Sequence, residues 1–445
     1  MDNITFKFIE NITKSVDNIG DKERIAAKHA IIDFLATAFA SSGNKHIQQL
    51  MDVLIQEHGS GTHQVIGYDQ GLTASDAALV NGFILHYYDY DDVHSDLRGH
   101  ASSVIFPALL SHCQKGNYDF QHFIDSYIVG IEVAARIGRT IGKQHYEEGW
   151  HTSSTIGILG ATAACSYFLA LDKASFSNAL GIAITEASGM RAQFGTDVKP
   201  LHIGLAAQKA YMAIIYSKQH AIEGNKNMLP IFYEMFHSPH IIPSHIYTQR
   251  IENWAIQQPG LWFKLYPCCS ANYHAIDATI SLQEQYHFKV EDIAQINVIF
   301  PTNGDAALKF SQPKNGLEGR FSVEFVIAKL LMHGTLTLDD FLELRIDQDI
   351  QDVMSKIQRI YNDTIIPDDN ALPIGRFTIV EIITHSQEIY SERVDAPRGS
   401  PNQPLSQDVL IEKLKMYAPK HAENIATLDL IKNTNQFIAY IATGG

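Results

Sequence analysis

Apolar residues recur at helical spacing through most of the first half of the chain. The run Ile25 to Leu35 is one such stretch, and the same period predicts helices over Phe120 to Arg136, Ser153 to Leu171, Ser175 to Ser188 and His202 to Ala221. A further apolar run, Ala77 to Tyr88, also reads as helix. The segment Gly157-Ile158-Leu159-Gly160-Ala161-Thr162-Ala163-Ala164 is rich in small residues. Small side chains let helices approach closely, and the helix propensity lost at glycine has to be offset by that packing.

The pattern changes near Gln257-Gln258-Pro259-Gly260, a turn signal. Beyond it, Ala294 to Phe300 and Phe377 to Thr384 are β-branched and bounded by proline or polar turns, which predicts strands, and Glu388 to Val394 predicts a hairpin partner for the second. Helical spacing returns over Ser322 to Met332 and Ser406 to Leu414. The expected architecture is mostly α. A large all-helical domain spans residues 1–262, a smaller α+β domain spans 263–402, and the loop Asp395 to Pro404 leads back so that 403–445 complete the helical body.

Composition narrows the function classes. A chain of 445 residues with 45% hydrophobic and 19% charged positions is an ordinary globular protein of two domains. Its 34 basic and 49 acidic residues give a net charge of −15, which argues against nucleic acid or an anionic membrane as the main partner. An anionic substrate would then need a local positive pocket built against the overall field. The start at Met1 lacks the basic and apolar regions of a signal peptide, and no apolar run reaches the roughly 18 to 20 residues of a membrane span. Cys113 and Cys165 lie in helical patterns and Cys268 and Cys269 are adjacent, so neither a disulfide framework nor a CxxC metal site is indicated. A reduced, cytoplasmic protein is expected.

Chemistry concentrates in four islands. The first, Asp89-Tyr90-Asp91-Asp92-Val93-His94-Ser95-Asp96-Leu97-Arg98-Gly99-His100, crowds four carboxylates, two imidazoles and a guanidinium behind the apolar run. Such crowding tunes acid and base groups for proton transfer, and Asp89, Asp91, Asp92, His94 and His100 also have the chemistry of divalent-metal ligands. The second is Glu147 to Ser154, where Thr152 to Ser154 suit a helix N-cap and His151 would stand beside an anion held at that helix start. The third, Arg191 to His202, reads as a non-helical link carrying Lys199 and His202. The fourth is Lys264 to His274, with Cys268 and Cys269 more readily small buried hydrophobes than nucleophiles. Phosphate-binding glycine loops, HExxH and GxSxG are all missing from the sequence.

At these islands the sequence resembles the MmgE/PrpD family. The resemblance rests on His86-Tyr87-Tyr88-Asp89-Tyr90-Asp91-Asp92 with His100, on Gly149-Trp150-His151, on Gly195 to Gly204 with its Lys199-Pro200-Leu201-His202 core, and on Tyr266-Pro267-Cys268-Cys269. Arg320-Phe321-Ser322 and Asn402 to Ser406 fit further positions, so the likeness runs through nearly the whole chain. It implies a large helical domain with a smaller α+β lid, a homodimer, and no metal or organic cofactor. It also implies a lyase or isomerase that removes a proton next to a carboxylate of a small di- or tricarboxylate, like the family's 2-methylcitrate dehydratases. Asp89, His100, His151 and Lys199 match the catalytic positions; Arg98, His94, Thr152, His202, Lys264 and Cys269 are expected to bind substrate. Val93 stands where the family's decarboxylases carry threonine and Cys269 where they carry histidine, and their lid tyrosine has no counterpart near Asp305. These departures point away from decarboxylation of cis-aconitate and leave epimerisation of an iminodisuccinate-like diacid, or mere carboxylate binding, as alternatives.

Overall fold

Every residue from Asp76 to His86 is buried in the helix Ala74–His86, whose first turn is capped by the Thr73 side chain accepting from the Asp76 N–H. A helix apolar on all sides belongs in the middle of a domain, and this one packs lengthwise on the helix Val198–Lys218. Their backbones touch where glycine faces glycine. A Cβ added at Gly82 would lie 2.9 Å from the Gly204 Cα, and one added at Gly204 would lie 2.3 Å from the Leu79 carbonyl oxygen. Neither distance tolerates a side chain, so the close approach requires glycine at both positions. The helices Asp21–Ala40, Ser102–Cys113 and Gly157–Phe168 pack against this pair, and Phe120–Glu147 packs on those three from outside.

In this computed structural model residues 3–236 and 245–443 are described, and the chain forms two units, Met1–Leu261 with Ser406–Gly445, and Trp262–Leu405. The first is helical. In the second, a four-stranded sheet runs in the order Ile357–Tyr361, Ile293–Phe300, Thr378–Thr384, Ile389–Val394. The first pair is parallel, with Val298 opposite Arg359, and the other pairs are antiparallel, with Val298 opposite Val380 and Val380 opposite Glu392. Helices Tyr273–Tyr286 and Val323–His333 complete that unit. A large helical part with a smaller α+β part is therefore the fold, as the periodicity predicts.

Three local expectations need correction. The stretch from Ser153 to Leu171 is two helices, Thr152–Thr155 and Gly157–Phe168, divided at Ile156. The helix from Phe120 continues beyond Arg136 to Glu147, with a break at Gly142, whose φ is 75°. The link from Arg191 is shorter than expected, because helical geometry begins at Val198. Lys199 and Pro200 thus occupy a first turn, where the N–H that proline lacks would have no intrahelical partner anyway.

One buried histidine gives the helical unit an acid weakness. His112 is 2% exposed, lies 4.5 Å from the Tyr211 ring and leaves its Nε2 without a hydrogen-bond partner. Burial, helped by Lys115 and Lys218, pushes its pKa down from 6.5 to about 3. Below pH 6.5 the unfolded chain takes up a proton there that the folded protein refuses, so this contribution is present at neutral pH and fades as pH falls toward 3. At pH 5 the loss is about 2 kcal/mol. His112→Phe is therefore expected to flatten the fall in stability between pH 7.5 and pH 5 by about one proton. Urea unfolding at both pH values checks this, and identical pH slopes for the two proteins would refute it.

Candidate active site

The end of the buried helix Ala74–His86 sets the site. After His86 the Asp89 N–H still bonds the His86 carbonyl, but Asp89 itself turns left-handed, with φ 54°. Aspartate tolerates that region better than most residues, and the turn sends Asp89 back over the helix end. Residues 93–99 then form a tight loop in which His94 bridges to Gly99, and Arg98 is also left-handed. A Cβ at Gly99 would lie 2.5 Å from the Ser153 Oγ, so glycine lets the loop press against the start of the Thr152–Thr155 helix. There the His100 N–H donates to the Ser153 Oγ at 3.0 Å and the Thr152 hydroxyl donates to the Arg98 carbonyl at 2.7 Å.

Five titratable side chains meet at this point. Lys199 Nζ lies 3.0 Å from one oxygen of Asp89, and His100 Nε2 lies 3.3 Å from the other. The second nitrogen of His100 stands 3.1 Å from Asp91, off the line of a hydrogen bond. Asp91 also accepts from His86 Nδ1 at 2.9 and 3.0 Å and from the Ser103 hydroxyl. All of these side chains are buried. His151 joins through its neighbours. Its ring is 6.0 Å from that of His86 and 5.0 Å from Phe194, and the Phe194 face also takes the Lys199 ammonium at 5.0 Å.

The electrostatics divide the group into charged and neutral partners. Burial opposes ionisation of Asp91, but His100 and His86 prevail and hold it well below the usual carboxylate range. Burial pushes His86 down to about 3, so His86 is neutral and its Nδ1 carries the proton shared with Asp91. Burial, with Lys199 next, also holds His151 well below 6.5, and His202 is lowered by the same two causes. His151 Nδ1 and His202 Nδ1 are 3.2 Å apart. Between two neutral rings one nitrogen must donate and the other accept, so with His151 as donor its Nε2 presents a free lone pair.

Of the residues singled out in the sequence, Asp89, His100, His151 and Lys199 come together, with His202 and Thr152 beside them. Arg98 contributes its backbone, while burial lowers the pKa of its half-buried guanidinium against the opposing pull of Glu147 and Asp96. His94 is a buried framework residue whose Nε2 bonds the Ala255 carbonyl at 3.0 Å. Thr152 to Ser154 are not the cap. His151 occupies that position, and its carbonyl takes the Ser154 and Thr155 N–H groups, leaving fewer amides for an anion than expected. Lys264 and Cys269 belong to the second unit, where Lys264 is fully buried and Cys269 partly exposed. In that unit Asp305 does carry a tyrosine, since the Tyr361 hydroxyl donates to it at 2.9 Å.

His86 and Asp91 are neighbours of these groups that the sequence reading placed in the family motif, Asp91 also as a possible metal ligand, but left out of the acid–base set. His86 looks like the end of an apolar helix, and its pairing five residues on follows from a turn that the pattern does not encode. Together with Asp89 and His100 they offer four ligand atoms within 4.8 Å of one another, a set that could hold a divalent cation. Asp92 and His94 fall outside that group. The Lys199 ammonium already stands on one of the four, Asp89.

Comparison with known proteins gives the family. Human cis-aconitate decarboxylase is 27% identical over 429 residues, covering 91% of this chain and 85% of the relative. The enzyme of the same name from Aspergillus terreus is 25% identical over 430 residues, covering 91% and 86%. Residues 7–230 match the MmgE/PrpD N-terminal domain and residues 266–433 match the MmgE/PrpD C-terminal domain. With both domains matched in order along one chain, the protein belongs to the MmgE/PrpD family.

Proposed function

We propose that the protein is a cofactor-independent lyase that removes a proton next to a carboxylate of a small di- or tricarboxylate, in the manner of a 2-methylcitrate dehydratase. The observation that carries this reading is the buried meeting of Lys199, Asp89 and His100 beside a neutral His151. Taking a proton from carbon next to a carboxylate leaves an electron pair that spreads into an enediolate with added negative charge. That charge needs a cation and hydrogen-bond donors in a site closed to water. Lys199 supplies the cation. His151 takes the proton on a lone pair that its depressed pKa keeps free at neutral pH. The electron pair then expels a hydroxyl from the adjacent carbon, and that group leaves as water after taking a proton from the His100 side of the site.

The reading extends to a cytoplasmic homodimer with no nucleic-acid or membrane partner. Among the described residues no helix is long and apolar enough to cross a membrane.

Proton NMR in deuterated water with citrate, 2-methylcitrate, cis-aconitate and iminodisuccinate, with and without a chelator, tests the reading. A new vinylic signal, unaffected by the chelator, is expected. Deuterium uptake without a new product would mean an epimerase, and loss of cis-aconitate to a decarboxylated acid would match the curated relatives. Activity lost to the chelator would assign the His86, Asp89, Asp91 and His100 group to a metal. Silence with all four acids would reject an enzyme of this class and leave carboxylate binding.

His202 has a narrower part in this scheme, that of holding one tautomer of His151. His202→Ala is expected to lower kcat about 10-fold with KM little changed, since orientation and tautomer serve the proton transfer more than binding. A fall in affinity at constant kcat would instead make His202 a substrate ligand.

A further inference from the structure

Lys413 sits in the helix Gln407–Tyr417, which belongs to the first unit although it follows the second in sequence. Its side chain is 2% exposed. The ammonium donates to Asp33 Oδ1 at 2.7 Å and to the backbone carbonyl of Tyr90 at 2.9 Å, and it lies 3.6 Å from the centre of the Tyr90 ring. The Thr37 hydroxyl reaches the same carbonyl at 3.4 Å. Tyr90 is the residue between Asp89 and Asp91. Its carbonyl shares a peptide plane with the Asp91 N–H, so fixing that oxygen fixes the direction in which Asp91 leaves the chain.

The loop needs such a hold. Asp89 is left-handed, a conformation open to aspartate but less favoured than the right-handed one, so neighbouring contacts decide whether it holds. On the far side Asp92 is a buried carboxyl pushed well above its ordinary range by burial and by Asp33, and it accepts from the Ser102 hydroxyl, which also pairs with the Tyr127 hydroxyl at 2.7 Å. Asp33 is the counter-ion that makes a buried ammonium tolerable there.

We propose that Lys413 is a positioning residue of the site, its ammonium clamping the Tyr90 carbonyl so that Asp89 and Asp91 meet Lys199, His100 and His86. The proposal rests on the reading of those residues as the acid–base machinery. It ties turnover to a helix from the last part of the chain that contributes no group to the proton transfer itself.

The test is the pair Lys413→Met with Asp33→Asn, which removes both charges together and keeps their volume. The double variant is expected to melt cooperatively while kcat falls about 10-fold and KM stays within about twofold. Asp33→Asn alone, whose amide oxygen can still accept from the ammonium, is expected to lower stability and keep the wild-type kcat. Carbon-13 labelled histidine rings, observed without substrate, are expected to shift at His100 and His86 in the double variant and not in Asp33→Asn. Unmoved rings with unchanged kcat in the double variant would overturn the clamp. Equal losses in Asp33→Asn and the double variant would also overturn it, because the ion pair rather than the carbonyl would then matter. If the wild-type protein turns over none of the acids, the proposed reaction fails, and the ring resonances still decide the clamp.

Discussion

Lys199→Met is expected to lower kcat about 1,000-fold while the protein remains folded, because it removes the cation nearest the developing enediolate. The side chain lies 3.0 Å from Asp89 and 5.0 Å from the centre of the Phe194 ring, in a buried site where a charge acts through little water. Methionine keeps most of the apolar stem, so the change is mainly electrostatic. It also takes the ammonium away from the Asp89 carboxylate, which His100 still faces at 3.3 Å, and breaking a buried pair from one side costs about 3 kcal/mol. Lys199→Met with Asp89→Asn separates the two effects. That pair should recover most of the stability, read by urea midpoint, and none of the turnover. Full activity in Lys199→Met at wild-type stability would remove Lys199 from the site.

Gly204→Ala is expected to destabilise the fold by about 2 kcal/mol, the balance of overpacking against helix propensity. The new methyl would stand 2.3 Å from the Leu79 carbonyl oxygen and 3.3 Å from the Phe83 nitrogen, both backbone atoms of the buried helix Ala74–His86. Backbone in mid-helix has no rotamer to change, so the helices must move apart, and overpacking of this kind typically costs 1 to about 3 kcal/mol. The gain in helix propensity from glycine to alanine returns about 1 kcal/mol at most. Function should suffer as well, since Asp89 follows the end of one helix and Lys199 lies in the first turn of the other. Denaturant midpoints and kcat are expected to fall together. An unchanged midpoint would mean that the crossing is looser than the glycine contact requires.

Much of this architecture was legible in the chain. The buried helices announce themselves through period, and so do the strands Ile293–Phe300, Thr378–Thr384 and Ile389–Val394, whose residues alternate or are β-branched. The strand Ile357–Tyr361 escaped because its residues other than Ile357 are exposed or only half-buried, which leaves Gln358, Arg359 and Tyr361 without an apolar signal. The split at Ile156 and the early helix start at Val198 depend on local turns that small-residue and proline-containing segments do not specify.

The candidate site was legible as residue types and not as a constellation. Asp89, His100, His151 and Lys199 stand out because each is a titratable group set in a motif. The pairing of His86 with Asp91 was hidden, since a histidine ending an apolar helix gives no sign that a left-handed residue will fold a carboxylate back onto it. Lys413 and Asp33 did leave a trace, each a lone charge on an apolar face, between Leu410 and Leu414 and between Ile32 and Phe34.

By itself the sequence determined the fold class and the family and singled out the titratable residues of the candidate site, because periodicity and residue chemistry are local properties. Only the tertiary structure decided which groups touch, which rings are neutral and which charge stands where. Those depend on burial and on distances between segments far apart in the chain, such as the glycine crossing that sets Lys199 on Asp89 and the late helix that sets Lys413 on Tyr90.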